Sequence, residues 1–232
     1  MAKKTSIDSL VFLFISGGSC SGKSHLSDAL KKVFDHTLII RQDWYYKNIQ
    51  FQEDDRLERF EAFDVMLLIE DLHKIIKGET LYFPTYSYKL HRRINLKRPV
   101  TIKPDLVILE GLYAIKIGCL AENESWFSNF PKHKIFVDVS EETMLNRRME
   151  RDITRTRQKK EDISFQMTEY VLPAYRRFII QQRDHADVVF DNATVTRLIQ
   201  KNVAFKKILE FIETNGKFRI GMNSETEFSD YT

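Results

Sequence analysis

An α/β fold of five parallel strands flanked by helices is what this 232-residue sequence predicts, and three observations predict it. Strand-like runs at 10–15, 37–40, 106–109, 134–139 and 187–190 alternate with stretches of helical spacing, the order that lays parallel strands into one sheet. The first run leads into Gly17-Gly18-Ser19-Cys20-Ser21-Gly22-Lys23-Ser24, a match without mismatch to G-x-x-x-x-G-K-[ST], and a helical pattern follows directly. The run 106–109 ends in Glu110-Gly111, a carboxylate at the carboxyl end of a second very apolar strand. A glycine-rich loop between buried strand and helix makes the sheet one of the P-loop type.

Each element has its own signal. The run 10–15 is continuously apolar, as a strand buried on both faces requires. Residues 24–34 carry Leu26, Leu30 and Val33 at helical spacing. The strand 37–40 delivers Gln42, Asp43, Trp44, Tyr45 and Tyr46 at its carboxyl end, where ligands gather in open α/β sheets. Residues 47–60 lack a period and read as a loop or lid segment. Asp64 is placed to cap a helix through Lys77, with Met66, Leu67, Leu68, Leu72, Ile75 and Ile76 as its apolar side and Gly78 as its stop. Two β-like pieces, 80–83 and 99–102, enclose the aromatic and basic run 84–93, a hairpin-like excursion (about 79–103) suited to closing over a substrate. Residues 141–160 form a strongly basic helix and loop with Arg147, Arg148, Arg151, Arg155, Arg157, Lys159 and Lys160, a lid at about 147–165. Residues 162–183 are helical, with Pro173 as a kink or break, and 195–214 form a closing amphipathic helix. One domain thus covers 1–214, and the polar, aperiodic tail 215–232 is expected to be disordered.

Hydrophobic content of 43%, charged content of 30% and a net charge of +3 describe an ordinary globular chain with no call for nucleic acid or membrane. Cys20 and Cys119 form neither a disulfide framework nor a metal spacing, so a reducing cytosol is the expected compartment. No signal-peptide h-region follows the N-terminus, and no apolar run reaches the length of a membrane span.

The motifs carry phosphate chemistry. Glycines 17, 18 and 22 let backbone N–H groups of the 17–24 loop turn inward around phosphate oxygens; Lys23 adds a point charge on the β- and γ-phosphates and Ser24 a hydroxyl ligand to Mg²⁺. Glu110 places a second oxygen beside that ion. Asp43 can orient an acceptor hydroxyl and take its proton, and arginines 148, 151, 155 and 157 can neutralise charge on a transferring phosphoryl group. The rival for the arginines is a solvated basic helix or a nucleic-acid face; Glu150 and Asp152 interrupt the stripe and count against the latter.

These residues resemble the uridine kinase and phosphoribulokinase group of P-loop kinases, and among them the uridine–cytidine kinases. The similarity spans about 11–192 and rests on ordered motifs: the loop 17–24, the segment 42–46, Glu61-Ala62-Phe63-Asp64, Pro84 and Tyr86 followed by His91 and Arg93, Glu110-Gly111, Arg148 with Arg151-Asp152-Ile153, and Pro173 with Ala186-Asp187-Val188. The resemblance implies an ATP- and Mg²⁺-dependent kinase of pyrimidine salvage acting on the 5′-hydroxyl of uridine or cytidine, a small-molecule nucleoside substrate, no nucleic-acid or membrane partner, and a homo-oligomer. It implies Asp43 as the base, Tyr46, Tyr86 and His91 near the nucleoside, Arg148, Arg151, Arg155 and Arg157 as lid arginines, and Gln166 as a substrate-contacting glutamine. Two departures stand out. Leu57-Glu58-Arg59-Phe60 replaces the family's Phe-Asp-His-Pro, so that Glu58 takes the place of a ribose-binding aspartate, and Arg155-Thr156-Arg157 replaces Arg-Gly-Arg in a lid one residue shorter. A related kinase with another acceptor, such as nicotinamide riboside, another ribosyl compound or pantothenate, and a non-catalytic nucleotide-binding protein are the alternatives.

Overall fold

In the computed structural model, which describes residues 10–48, 55–87, 90, 92–100, 103–156, 158–192 and 203–216, strand β1 (Val11–Gly17) is buried along its whole length. Its side chains alternate between two cores, as a pleated strand covered on both faces must. Phe12 and Phe14 enter one core with Leu68, Leu72, Ile115 and Phe127; Val11, Leu13 and Ile15 enter the other with Leu26, Leu30, Phe205 and Ile208.

Five parallel strands form the sheet in the order β2-β5-β1-β6-β7, with β2 at Thr37–Arg41, β5 at Leu106–Glu110, β6 at Lys132–Asp138 and β7 at Val188–Asp191. Helices α1 (Lys23–Val33) and α7 (Val203–Gly216) cover the second core. Helices α2 (Val65–Lys77) and α3 (Ala114–Ala121) cover the first. The predicted sheet is therefore present, strand for strand. Among the described residues no helix is long and apolar enough to cross a membrane.

Helix α2 starts and stops where its caps require. The Asp64 side chain accepts from the Leu67 N–H, worth about 1 kcal/mol at such a position, and Gly78 ends the helix in the left-handed region. The predicted apolar side needs correction: Met66 is 68% exposed, and the buried face is Leu68, Asp71, Leu72 and Ile75. Asp71 is admitted because its carboxylate accepts from the buried Tyr45 hydroxyl at 2.9 Å and from Lys74 Nζ at 3.1 Å.

The excursion is a two-stranded antiparallel hairpin of β3 (Tyr82–Ser87) and β4 (Arg92–Pro99). Its strands run further into the aromatic and basic run than the sequence suggests, because Tyr86 pairs with Arg93 and Ser87 with Arg92. Arg93 fastens the hairpin to the start of α2 and to the turn after β2, donating to Asp64 Oδ2 at 3.1 Å and to the Tyr45 carbonyl at 2.9 Å.

Helix α4 (Glu141–Thr156) follows β6, and α5 (Lys160–Gln166) leads into a continuous helical rod. Pro173 does not break it. The residue lies in the single α turn α6 (Leu172–Ala174) between two π-helical stretches, Met167–Val171 and Tyr175–Ile179. A proline lacks the N–H that an α-helix uses and crowds the carbonyl four residues back, and the wider turns absorb both defects. The rod ends in tight turns at Ile180–His185, and Arg176 ties it to α4 through a two-pronged contact with Glu141 at 2.7 and 2.5 Å. The tail expected from 215 begins later than predicted, since Asn215 and Gly216 belong to α7; residues from 217 onward, the start of the closing helix at 195–202 and the strand residues 101–102 lie outside the described residues.

Candidate active site

The phosphate loop begins where β1 ends, and the register brings two side chains of neighbouring strands to the same edge: Ile15 pairs with Glu110 on β5, and Arg41 on β2 also pairs with Glu110. Glu110 is 5% exposed, and burial pushes its carboxyl up against the pull of Lys23. Its Oε1 accepts from Ser24 Oγ at 2.8 Å and lies 3.6 Å from Arg41 Nη1. The two predicted metal ligands, Ser24 and Glu110, are thus in direct contact.

Lys23 lies at the start of α1, its ammonium donating to the carbonyls of Gly17 at 3.0 Å and Gly18 at 2.7 Å. Desolvation lowers its pKa, while Glu110, Asp43 and Glu58 pull the other way. Those three carboxylates come from the end of β5, the turn after β2 (Gln42–Tyr45) and the turn Asp55–Glu58. Three segments distant in sequence therefore come within electrostatic reach of one lysine.

Glu58 lies in a short turn inside the stretch expected to be loop or lid. Tyr113 holds that turn by donating its hydroxyl to the Glu58 carbonyl at 2.6 Å, and Tyr46 does the same to the Leu57 carbonyl at 3.1 Å. Burial raises the Glu58 pKa, Arg148 opposes the rise, and its Oε2 has no hydrogen-bond partner among the described residues.

Helix α4 brings the arginines over the loop. Arg148 donates to Ser19 Oγ at 3.3 Å and lies 3.9 Å from Glu58 Oε1. Asp152, 6% exposed, contacts Arg148 Nε at 3.2 Å and accepts from Arg151 Nε at 2.7 Å. One carboxylate thus braces two of the predicted lid arginines.

Tyr46 and Tyr86, expected near the nucleoside, lie in one buried aromatic cluster, with ring centroids 5.2 Å apart and Phe63 at 4.3 Å from Tyr46. Gln166 closes α5, half-buried, and the π-helical stretch that follows it packs against the Glu58 turn. His91 and Arg157 lie outside the described residues, as does the side chain of Arg155.

Several residues take roles at the site that no sequence motif assigns to them. Gln42 lies under Gly111 and accepts from the Tyr113 N–H at 2.8 Å, which fixes the turn that holds Asp43. Gln182 accepts from Ser16 Oγ at 3.0 Å and donates to the Leu112 carbonyl at 2.6 Å, joining the rod to β1 and the start of α3. Arg147 and Asn192 both reach the carbonyl of Ser21 in the phosphate loop. Among the described residues no group of three or more His, Cys, Asp or Glu could hold a metal ion, so an ion at Ser24 and Glu110 would share its shell with phosphate oxygens and water.

A phosphate loop on β1, a carboxylate on the adjacent β5 and an arginine-bearing helix closing over both define a P-loop kinase, a phosphotransferase with an alcohol acceptor. The model of the phosphoribulokinase / uridine kinase family matches residues 12–199, and the chain belongs to that family. It is 32% identical over 196 residues to a uridine kinase of Halalkalibacterium halodurans, covering 81% of this chain and 89% of the relative. A uridine kinase of Bacillus cytotoxicus is 33% identical over 189 residues, covering 77% of this chain and 84% of the relative. The chloroplastic uridine/cytidine kinase UKL1 of Arabidopsis thaliana is 28% identical over 204 residues, 83% of this chain but 40% of that longer protein. Among solved structures, a candidate fructose transport system kinase from Silicibacter superposes with a TM-score of 0.60 at 18% identity, covering 81% of this chain and 92% of that one. A candidate uridine kinase from Bacillus stearothermophilus gives a TM-score of 0.51 at 19% identity, covering 82% and 92%. Both share the fold.

Proposed function

We propose that this chain transfers the γ-phosphoryl group of ATP to the 5′-hydroxyl of a pyrimidine ribonucleoside, forming UMP from uridine or CMP from cytidine. The observation that carries the reading is the meeting of donor and acceptor groups at the loop: Glu110 accepts from Ser24, Arg148 bonds Ser19 of the loop and lies 3.9 Å from Glu58, and Lys23 is within electrostatic reach of Glu110 and of the pair Asp43 and Glu58. A nucleotide-binding module has no use for the second pair. The uridine kinase names of its relatives support the choice of acceptor.

Asp43 orients the hydroxyl and takes its proton as the oxygen attacks the γ-phosphorus and the bond to ADP breaks. Glu58 accepts a hydrogen bond from the acceptor through its unpartnered Oε2. Lys23 turns from its own loop carbonyls to the phosphates, and Arg148 and Arg151 stabilise the charge that develops on the equatorial oxygens. Ser24 and Glu110 are the residues that would hold Mg²⁺, which when bound neutralises part of the triphosphate charge. We place the reaction in a reducing cytosol, where Cys20 and Cys119, both free thiols, stay reduced.

The test is ADP release from Mg·ATP across uridine, cytidine, adenosine, nicotinamide riboside and pantothenate. Turnover on uridine and cytidine is expected. Turnover on another acceptor alone overturns the acceptor assignment, and none on any overturns the kinase reading.

A further inference from the structure

We propose that Arg147 and Asn192 are positioning residues that fix the phosphate loop in its binding shape by capping the outward carbonyl of Ser21; the assignment rests on the loop's role in the kinase reading above. Arg147 Nη1 donates to the Ser21 carbonyl at 3.1 Å and lies 3.5 Å from that of Cys20. Asn192 Nδ2 donates to the same Ser21 oxygen at 2.8 Å. Arg147 Nη2 donates to the Asn192 carbonyl at 2.7 Å, so the two residues also hold each other.

Their anchors are independent. Arg147 comes from α4, whereas Asn192 follows β7 and extends the sheet, its N–H bonded to the Asp138 carbonyl at 2.9 Å. A peptide is planar and trans, so its carbonyl and the next N–H point in opposite directions. Fixing the Ser21 carbonyl toward α4 and β7 therefore aims the Gly22 N–H away from them. Gly22 holds φ at +107°, and a Cβ there would overlap Asn192 Nδ2, so the donor sits where only glycine leaves room. A phosphate cradle works through amide donors set before the anion arrives, and donors behind the loop are how they can be set. The next residue of α4, Arg148, bonds Ser19 Oγ, so one helix turn grips the loop on two sides.

The test is calorimetric binding of Mg·ATP and of Mg·tripolyphosphate to full-length R147M, R147K and N192D, with thermal melts alongside. No acceptor is needed, so an enzyme inactive on nucleosides would sink the functional reading and leave this one to be decided. Expected is a loss of about tenfold in affinity for both ligands in R147M and N192D, of the size one lost charge-assisted or neutral hydrogen bond gives, and partial recovery in R147K. The KM for ATP should rise by the same factor while the acceptor KM stays put. Parental affinity in both variants overturns the proposal. So does a loss for ATP with none for tripolyphosphate, which would place the two residues at the adenine.

Discussion

Arg148 lies 3.9 Å from Glu58, and through that pair the lid helix α4 is joined to the turn Asp55–Glu58. Both side chains are mostly buried, each 14% exposed. Glu58→Ala would leave the guanidinium facing Ser19 and Asp152 alone and remove the unpartnered acceptor. Hydrogen bonds to charged groups contribute about 1.5–3 kcal/mol, so the acceptor KM should rise about 10- to 100-fold with the ATP KM unchanged. Steady-state kinetics with each substrate varied in turn decides it; equal changes in both KM values would place Glu58 in the fold rather than at the acceptor.

The same residue sets a pH dependence. Burial raises the Glu58 pKa despite Arg148, and Glu110 is raised for the same reason. The ionised form accepts from substrate, and a raised pKa means that form is lost on acidification earlier than for an ordinary glutamate. The acid limb of kcat/KM for the acceptor should therefore lie at higher pH than an exposed glutamate in the same role would place it. In Glu58→Gln one of the two titrations disappears, and the limb should shift to lower pH; an unmoved limb would assign it to Glu110.

Asp43 lies in the turn after β2, within electrostatic reach of Lys23. If it takes the hydroxyl proton, Asp43→Asn should bind Mg·ATP as the parent does and lose turnover by about 10²- to 10⁴-fold, the range of a general base. Single-turnover measurement separates chemistry from release. An unchanged chemical step would remove Asp43 from the mechanism.

What the sequence disclosed was local. The loop 17–24, the Asp64 and Gly78 caps of α2 and the carboxylate closing β5 each announce themselves within a few residues, because strand burial, capping and anion binding are short-range physics. Long-range partners were hidden: Asn192 bonds a carbonyl 171 residues away, and Arg147 one 126 residues away. Nothing in a basic run distinguishes Arg147, which turns to the back of the loop, from Arg148, which turns to its mouth. Met66 is exposed because α2 turns Leu68, Asp71, Leu72 and Ile75 to the core, and the partner that lets Asp71 in, the Tyr45 hydroxyl, lies 26 residues away. Pro173 reads as a break until the rod is seen to widen on either side of it.

Gly18 is pressed against α4 and the rod: a Cβ there would overlap Met144 Sδ and come within 3.1 Å of the Tyr175 ring. Both neighbours are buried, so Gly18→Ala must push aside the Met144 side chain or shift the loop, at about 1–3 kcal/mol for overpacking. A lower Tm and weaker Mg·ATP binding are expected together. Adding Met144→Ala should relieve the clash and recover nucleotide affinity beyond the sum of the single changes; strict additivity would argue that the two residues do not press on each other.

Asp152 offers the last and sharpest separation of structure from chemistry. Its carboxylate is shared by Arg148 and Arg151, which keeps both guanidinium groups from swinging to solvent and pre-sets the lid. Asp152→Asn keeps the shape and one acceptor but loses the charge that holds two cations at once. The lost charge-assisted bonds, about 1.5–3 kcal/mol each, should lower the Tm of a chain this size by several degrees. If bracing is the role, kcat should also fall by about tenfold or more at temperatures where the variant is fully folded, with ATP affinity nearly intact. Asp152→Glu, which restores the charge on a longer arm, should recover more of the Tm than of kcat, because the arginines are held again but not in the same place. Full recovery of kcat in that variant would mean that Asp152 needs only to be charged, and that the position of the two arginines is set elsewhere.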